Sequence, residues 1–315
     1  MDPLILKLFP GTKKNVPLAP YTTFKIGGKA AYFFAAKTAQ AIVQAVRTAK
    51  ELRIPFFILG GGSNLVVSDK GFNGLVIKTQ NIRYNIQDTK LFAEAGAPMA
   101  TLVKETGKKG LSGLEWAGGL PGSVGGAIRG NAGAFGGETK DAILWVIALD
   151  GKGRERLFLK KQCKFSYRSS IFKEKSFIIL SAAFALQKGN KRVIRSIAAG
   201  HIAYRKERHP LEYPNAGSVF KNCDFKTFSP ALRKLLRFAV KTDPFPVVPV
   251  AYLHDQAGLK GMRQNNIQVS VKHPNYMVNL GRGKAQDVAV LVQKVKKIIK
   301  KKFGVELEEE IEHVG

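Results

Sequence analysis

LSGLEWAGGLPGSVGGAIRGNAGAFGGE, residues 111–138, carries ten glycines in 28 positions, against a usual share of about 7%. Gly118-Gly119-Leu120-Pro121-Gly122 and Gly125-Gly126-Ala127 leave the backbone open to close approach by another group. Asn131, inside Asn131-Ala132-Gly133-Ala134-Phe135-Gly136, offers amide hydrogen bonds. A second bare loop lies upstream, where the apolar run Phe56-Phe57-Ile58-Leu59 leads straight into Gly60-Gly61-Gly62-Ser63-Asn64. Glycine there permits positive φ and turns N–H groups toward an anion, and Ser63 and Asn64 add donors. The loop is neither a Walker sequence nor a G-x-G-x-x-G fingerprint with its acidic ribose reader. Two loops without bulk suit a long ligand held on both flanks, such as a dinucleotide with a ring at one end. Spacing alone leaves two readings open, a nucleotide cofactor or a glycine-rich structural corner.

Outward from these loops, Ala39, Ile42, Val43, Val46, Ala49 and Leu52 recur at helical spacing and predict a helix over 38–53, ended by Pro55. Leu75-Val76-Ile77 and Leu91-Phe92-Ala93 read as strands, 98–108 as a helix, 144–149 and 177–186 as strands, and 193–208 as a helix. Beyond His209-Pro210 the character changes. A basic helix-like piece over 231–241 precedes a stretch with Pro244, Pro246 and Pro249, then a helix over 251–257 ended by Gly258, and strands at 269–271 and 276–279. The extreme C-terminus reads as a strand returning to the N-terminal part. The expected fold class is α+β in three parts: 1–75 with 303–315 returning to it, 76–209, and 210–302.

The formal charge is +28, which raises nucleic-acid binding as a function. The cations are spread along the chain, without interleaved aromatic-basic stacking or zinc-finger spacing. In the densest run, KVKKIIKKK over 294–302, Val295, Ile298, Ile299 and Phe303 continue a helical stripe begun at Val288, Leu291 and Val292. The lysines therefore form the solvated face of an amphipathic helix ending at Gly304. Cys163 and Cys223 form no CxxC pair and read as reduced thiols. The start, MDPLILK, is too short and too charged for a secretory signal, and no run of about 18 apolar residues occurs. A cytoplasmic monomer without membrane insertion or nucleic acid is expected.

Several blocks decide between the open readings. Thr22-Thr23-Phe24-Lys25-Ile26-Gly27-Gly28, LGGGSNLVVSD (59–69) and GLEWAGGLPGSVGGAIRGNAGAFGGE (113–138) closely resemble the UDP-N-acetylenolpyruvoylglucosamine reductase family. The resemblance continues through FSYRSSIFK (165–173), PLEYPNAGSVFKN (210–222), QAGLKG (256–261), QVSVKHPNYMVNLG (268–281) and GVELEEEIEHVG (304–315), in the family's order. It implies a tightly bound, non-covalent FAD in a two-part region of the vanillyl-alcohol-oxidase (PCMH) type, followed by a UDP-sugar domain. It also implies NADPH as the reductant and UDP-N-acetylenolpyruvoylglucosamine as the substrate that takes the hydride. This FAD fold does without a Rossmann fingerprint.

Three catalytic positions follow from the resemblance. Ser218 matches the proton donor to the carbon bearing the carboxylate. A serine is a poor acid at its ordinary pKa, so it needs tight geometry. Arg168 matches the arginine that binds the carboxylate, where a planar guanidinium also steadies developing enolate charge. Glu310 matches the C-terminal glutamate, which must be protonated or hydrogen-bonded beside an enolate. The cofactor positions are Gly60, Gly61, Gly62, Ser63, Asn64, Gly118, Gly119, Pro121, Gly122, Gly125, Asn131 and Gly133. Lys221, Asn222, Arg208 and His273 are candidate UDP-sugar contacts, and no metal site is expected.

The chain departs from the family's pattern in four places. Twenty-eight residues separate Asn222 from Ala251, more than is usual. The basic insert within this stretch, over 225–250, is expected to shape the UDP entrance or to bind an acidic partner. Asn265-Asn266 stands where Gly-Gly is common, and Glu309 where proline is common. Fifty positions from Arg168 to Ser218 suit the shorter subtype without a tyrosine-bearing lid. Two other functions compete: another FAD oxidase of this fold, and a basic nucleic-acid-binding protein.

Overall fold

A computed structural model describes every residue except Met1 and Pro244, with residues 2–4 described by backbone alone. The first residue of the N-terminal segment and the first of the three insert prolines therefore lie outside the described residues. The chain forms two compact units. The first holds residues up to Val16, Ala30–Gly61 and Asn73–Arg205; the second holds Pro17–Lys29, Gly62–Phe72 and Lys206–Gly315.

The first unit contains two larger sheets. In one, the order is Lys13–Pro17, Lys29–Ala36, Phe72–Thr79, Phe56–Leu59, the last two strands pairing in parallel. Helix Ala39–Glu51 buries Ile42, Val43, Ala45, Val46 and Ala49 in a core with Leu75 and Ile77. Thr38 Oγ1 accepts from Ala41 N at 3.1 Å, satisfying a first-turn donor, and Arg53 at φ +53° turns the chain out before Pro55. The other sheet is antiparallel, ordered Glu155–Leu159, Ile143–Leu149, Ile178–Ala185, Lys90–Glu94, Tyr84–Gln87. Its strand Ile178–Ala185 is almost wholly buried, which explains a continuous apolar run without alternation. Helices Met99–Lys109 and Val124–Arg129 contribute Leu102, Val103, Val124, Ala127 and Ile128 to the same core.

The second unit is built on an antiparallel sheet ordered Asn215–Ser218, Tyr276–Asn279, Ile267–Val269, Arg263–Gln264. Helix Ala285–Phe303 buries Val288, Leu291, Val292, Val295, Ile299 and Phe303, each worth roughly 1.5–3 kcal/mol when removed from water. The lysine run lies on its outer face apart from half-buried Lys296, and Gly304 at φ +67° ends it. Asp69 closes the other end, its carboxylate accepting from Ala285 N and Gln286 N at 2.9 and 3.1 Å. The C-terminal strand Glu312–Val314 runs parallel to Leu65–Val67.

The strand expected at 269–271 is displaced to Ile267–Val269. Ser270 Oγ accepts from Lys272 N and His273 N, and this local turn ends the strand and leaves Val271 exposed. The basic piece expected over 231–241 is a helix, Pro230–Leu236, continued by a 3-10 turn, Arg237–Ala239. Asn265 takes φ +48° and donates to Asp287 Oδ1 at 2.7 Å, so asparagine holds a left-handed turn there without glycine. Both cysteines are buried and free; burial pushes each thiol up to about 12, so neither is a nucleophile at neutral pH. Among the described residues no helix is long and apolar enough to cross a membrane.

Candidate active site

Within the first unit the two glycine-rich loops meet backbone to backbone. A Cβ on Gly61 would stand 2.5 Å from Gly122 Cα, and one on Gly60 2.8 Å from Ser123 Oγ. Beside this contact opens a cavity of about 660 Å³ whose wall includes Gly61, Gly122, Ser123, Lys37 and Lys78. Ligand pockets span about 300–1,000 Å³. Lys78 follows the buried run Leu75-Val76-Ile77, and its Nζ donates to Gly60 O at 2.7 Å. Burial lowers its pKa, and an anion alongside would oppose that shift. Ser123 Oγ is buried with no hydrogen-bond partner among the described residues, at a cost of about 1–3 kcal/mol that a bound ligand would relieve. Glycine backbone, two ammonium groups and a waiting hydroxyl fit the diphosphate of a dinucleotide.

Other glycines of the long loop are explained by protein packing. A Cβ on Gly118 would meet Ala198 O at 2.6 Å, one on Gly119 Arg205 Cδ at 2.9 Å, and one on Gly133 Glu138 Cγ at 2.7 Å. Gly125 would press on Ala95 at 3.1 Å, and Pro121 is exposed. Asn131, at φ +41°, spends its amide on protein: Nδ2 donates to Glu138 Oε2 and Ser166 O, and Oδ1 accepts from Lys140 N. The amide that sequence offered to a ligand therefore holds the loop, with both its donors engaged.

Arg168 sits half-buried at φ +55°, in a turn closed by reciprocal backbone bonds between Ser166 and Ser169 at 3.1 and 3.2 Å. Its Nη2 donates to Gly133 O at 2.9 Å and its guanidinium lies 5.0 Å from the Tyr167 ring centre. A non-glycine residue held left-handed stores strain of about 1–3 kcal/mol, a cost that concentrates at working sites.

In the second unit, strand Asn215–Ser218 pairs with Tyr276–Asn279 through a register shift between Asn215 and Ser218. Gly217 takes φ +80° and its N–H donates to Asn215 Oδ1 at 3.0 Å. Such a bulge re-aims the side chain that follows, here half-buried Ser218. Immediately beyond, Val219 O accepts from Glu310 N at 2.8 Å and Lys221 N donates to Glu308 O at 2.9 Å. Ser218 and Glu310, 92 positions apart, are thus brought onto adjacent backbone.

Two asparagines fix this arrangement. Asn64 Nδ2 donates to Glu310 O at 2.9 Å, so this side chain of the glycine motif grips the C-terminal segment. Ser63 beside it is half-buried, and Gly62 is required by Tyr21 O, 2.1 Å from a Cβ there. Asn275, buried, clamps Phe220 at both backbone groups, accepting from its N at 3.1 Å and donating to its O at 2.8 Å.

The four candidate substrate contacts are less free than their types suggest. Lys221 pairs with Glu308, and Asn222 Oδ1 accepts from Val250 N at 3.2 Å. Arg208 is exposed beside Glu207. His273 packs edge-on against Tyr276 and His209; burial lowers its pKa, leaving the ring uncharged at neutral pH. No metal-binding cluster of His, Cys, Asp or Glu occurs among the described residues.

Lys78, Ser123 and Asn275 were not singled out by sequence. Lys78 carried a signal, a lone charge closing an apolar strand. Ser123 and Asn275 carried none, because their roles depend on partners remote in sequence.

The fold and the family matches together make this an FAD-dependent oxidoreductase with an α+β, PCMH-type cofactor region. An FAD-binding domain family matches residues 30–157, and the C-terminal domain of UDP-N-acetylenolpyruvoylglucosamine reductase matches residues 209–314. Reductases of that name are similar along almost the whole chain. The Clostridium novyi (strain NT) protein is 36% identical over 304 residues, covering 96% of this chain and 92% of its own. That of Carboxydothermus hydrogenoformans is 38% identical, covering 96% and 93%. The crystal structure of the reductase from Thermus caldophilus superposes with a TM-score of 0.77 at 30% identity, covering 96% and 98%. The chain belongs to the UDP-N-acetylenolpyruvoylglucosamine reductase family, whose place is in peptidoglycan synthesis.

Two predictions arise from the geometry. Gly61→Ala forces a methyl onto Gly122 backbone, which cannot rotate away. It should cost about 1–3 kcal/mol and empty the protein of flavin; thermal unfolding with and without added FAD, and absorbance after gel filtration, check both. Glu309 receives His313 Nε2 at 2.7 Å and Lys296 Nζ at 2.5 Å. The His313 hydrogen bond and then the lysine hold its pKa down from 4.5 to about 2. A depressed carboxylate contributes stability that is complete above pH 4.5 and lost as pH falls toward 2. Glu309→Gln should therefore lower the melting temperature at neutral pH and flatten its fall across that acid window. An unchanged acid limb would refute the assignment.

Proposed function

We propose that this chain catalyses the NADPH-dependent, FAD-mediated reduction of the enolpyruvyl ether of UDP-N-acetylglucosamine to UDP-N-acetylmuramate. The observation that carries the proposal is the bulge that aims Ser218, next to the backbone lock on Glu310. Gly61, Lys37, Lys78, Gly122 and Ser123 hold the diphosphate of FAD. When bound, FAD supplies the hydride. The Ser218 hydroxyl delivers a proton to the carbon bearing the carboxylate. Arg168 binds that carboxylate and stabilises the enolate charge that builds on it. Glu310, protonated or hydrogen-bonded, faces the same charge without repelling it.

Arg208 contacts the UDP diphosphate as a cation, and neutral His273 contributes a hydrogen bond. Lys221 and Asn222 act after release from their protein partners, or by positioning the strand that carries Ser218. The organisation is proposed to be three-part, with FAD subdomains over 1–75 and 76–209 and the UDP-sugar domain over 210–302. The protein is proposed to be a cytoplasmic monomer of the subtype without the lid loop.

An anaerobic absorbance trace tests the reading. The flavin band should bleach with NADPH and return only when UDP-N-acetylenolpyruvoylglucosamine is added. A band that bleaches and ignores the substrate would indicate another flavoenzyme of this fold, and a protein that cannot be loaded with FAD would end the proposal.

A further inference from the structure

Residues 225–241, FKTFSPALRKLLRFAVK, hold five cations and no acid. Ser229 Oγ accepts from Leu232 N at 3.3 Å, starting the helix Pro230–Leu236, and the turn Arg237–Ala239 follows directly. One side of this segment is anchored: Phe228 and Leu236, each 2% exposed, belong to the core of the second unit, with Leu232 and Val240 packed against it. The opposite side is also apolar. Leu235 is 64% exposed and Phe238 is 76% exposed, the most exposed large hydrophobic side chain among the described residues. Three positions apart along a helical course, they emerge as neighbours. The Phe238 ring touches Tyr252 only edge-on, at 5.7 Å and 88°.

The same segment carries Lys226, Lys234, Arg237 and Lys241, all exposed, with half-buried Arg233. Projecting Leu and Phe together with Lys and Arg is the composition of a segment that lies in the headgroup layer of a bilayer. The apolar tips enter the acyl boundary while the cations meet anionic headgroups. We propose that this insert docks the protein peripherally on an anionic phospholipid surface, through Leu235 and Phe238, without spanning it. Charge complementarity selects that occupant, because the segment 225–241 that carries both apolar tips holds five cations and no acid. The net charge of +28 would steer the approach without fixing the orientation, which the two side chains do.

The test is co-sedimentation of the full FAD-loaded chain with vesicles of phosphatidylglycerol and phosphatidylcholine in equal parts, and with phosphatidylcholine alone. Binding should require phosphatidylglycerol. The double variant Leu235→Gln/Phe238→Gln should weaken it at least about tenfold, while solution turnover and melting temperature stay unchanged. Arg237→Gln should weaken it about fivefold. In Phe238→Trp, the indole should be quenched by lipids brominated near the headgroup. Undiminished binding of the double variant would mean that bulk charge alone attracts the protein, and would overturn the proposal. So would an unquenched indole on bound vesicles, or capture by an acidic protein with no affinity for vesicles.

Discussion

Ser218→Ala is expected to bleach normally with NADPH and to regain its flavin absorbance on addition of substrate about 10²–10⁴-fold more slowly. The asymmetry follows from what the side chain supplies. A positioned acid accelerates only the step in which its proton moves, and the proposed role gives Ser218 no part in accepting the reductant. A hydroxyl is a weak acid, so its contribution must come from placement. Three local features provide it: the register shift before Ser218, the positive φ of Gly217, and the Asn215 side chain held by Pro210 O and Tyr213 O. None of them uses the Ser218 hydroxyl, so alanine should keep the same backbone and melting temperature. Stopped-flow absorbance of the two half-reactions separates the outcomes. Equal slowing of both would indicate a misplaced cofactor, and no slowing of the second would remove Ser218 from the chemistry.

Sequence located the loops of this molecule better than it explained them. Glycine density marked 111–138 as irregular, yet a Cβ on Gly118 would meet Ala198 O at 2.6 Å, and one on Gly119, at φ +72°, would meet Arg205 Cδ at 2.9 Å, both partners about eighty residues downstream. Local pattern cannot separate a glycine bared for a ligand from one bared for a distant helix. Helices were legible because their apolar stripes face one core, as at Ile42, Val46 and Ala49. Strand Lys29–Ala36, KAAYFFAA, was not read, since alanine has low strand preference and only every third residue is buried. The approach of Glu310 to Ser218 has no local signature either. It arises where the chain after the long helix pairs with Val219 and Lys221, and only the likeness to a family joined the two beforehand.

Glu310→Gln should reduce the second half-reaction by about 10²-fold or more while leaving NADPH bleaching and thermal stability close to wild type. The structure makes this substitution unusually clean. The backbone N–H of Glu310 is held by Val219 O and its carbonyl by Asn64 Nδ2, so glutamine inherits the position and changes only the acid. An amide can still donate a hydrogen bond toward an enolate, but it cannot give up a proton. A large loss with unchanged substrate affinity would mean that Glu310 works through its ionisable proton, directly or by relaying it to Ser218. A rate within about threefold of wild type would mean that hydrogen bonding alone suffices, and the proton path would rest on Ser218. Asn64→Ala then serves as the partner experiment. It frees the Glu310 carbonyl without touching the carboxyl, so it should slow the same half-reaction by a smaller factor, with no change in the pH at which the rate falls. If its pH profile moves together with its rate, Asn64 acts on the charge of Glu310 rather than on its position.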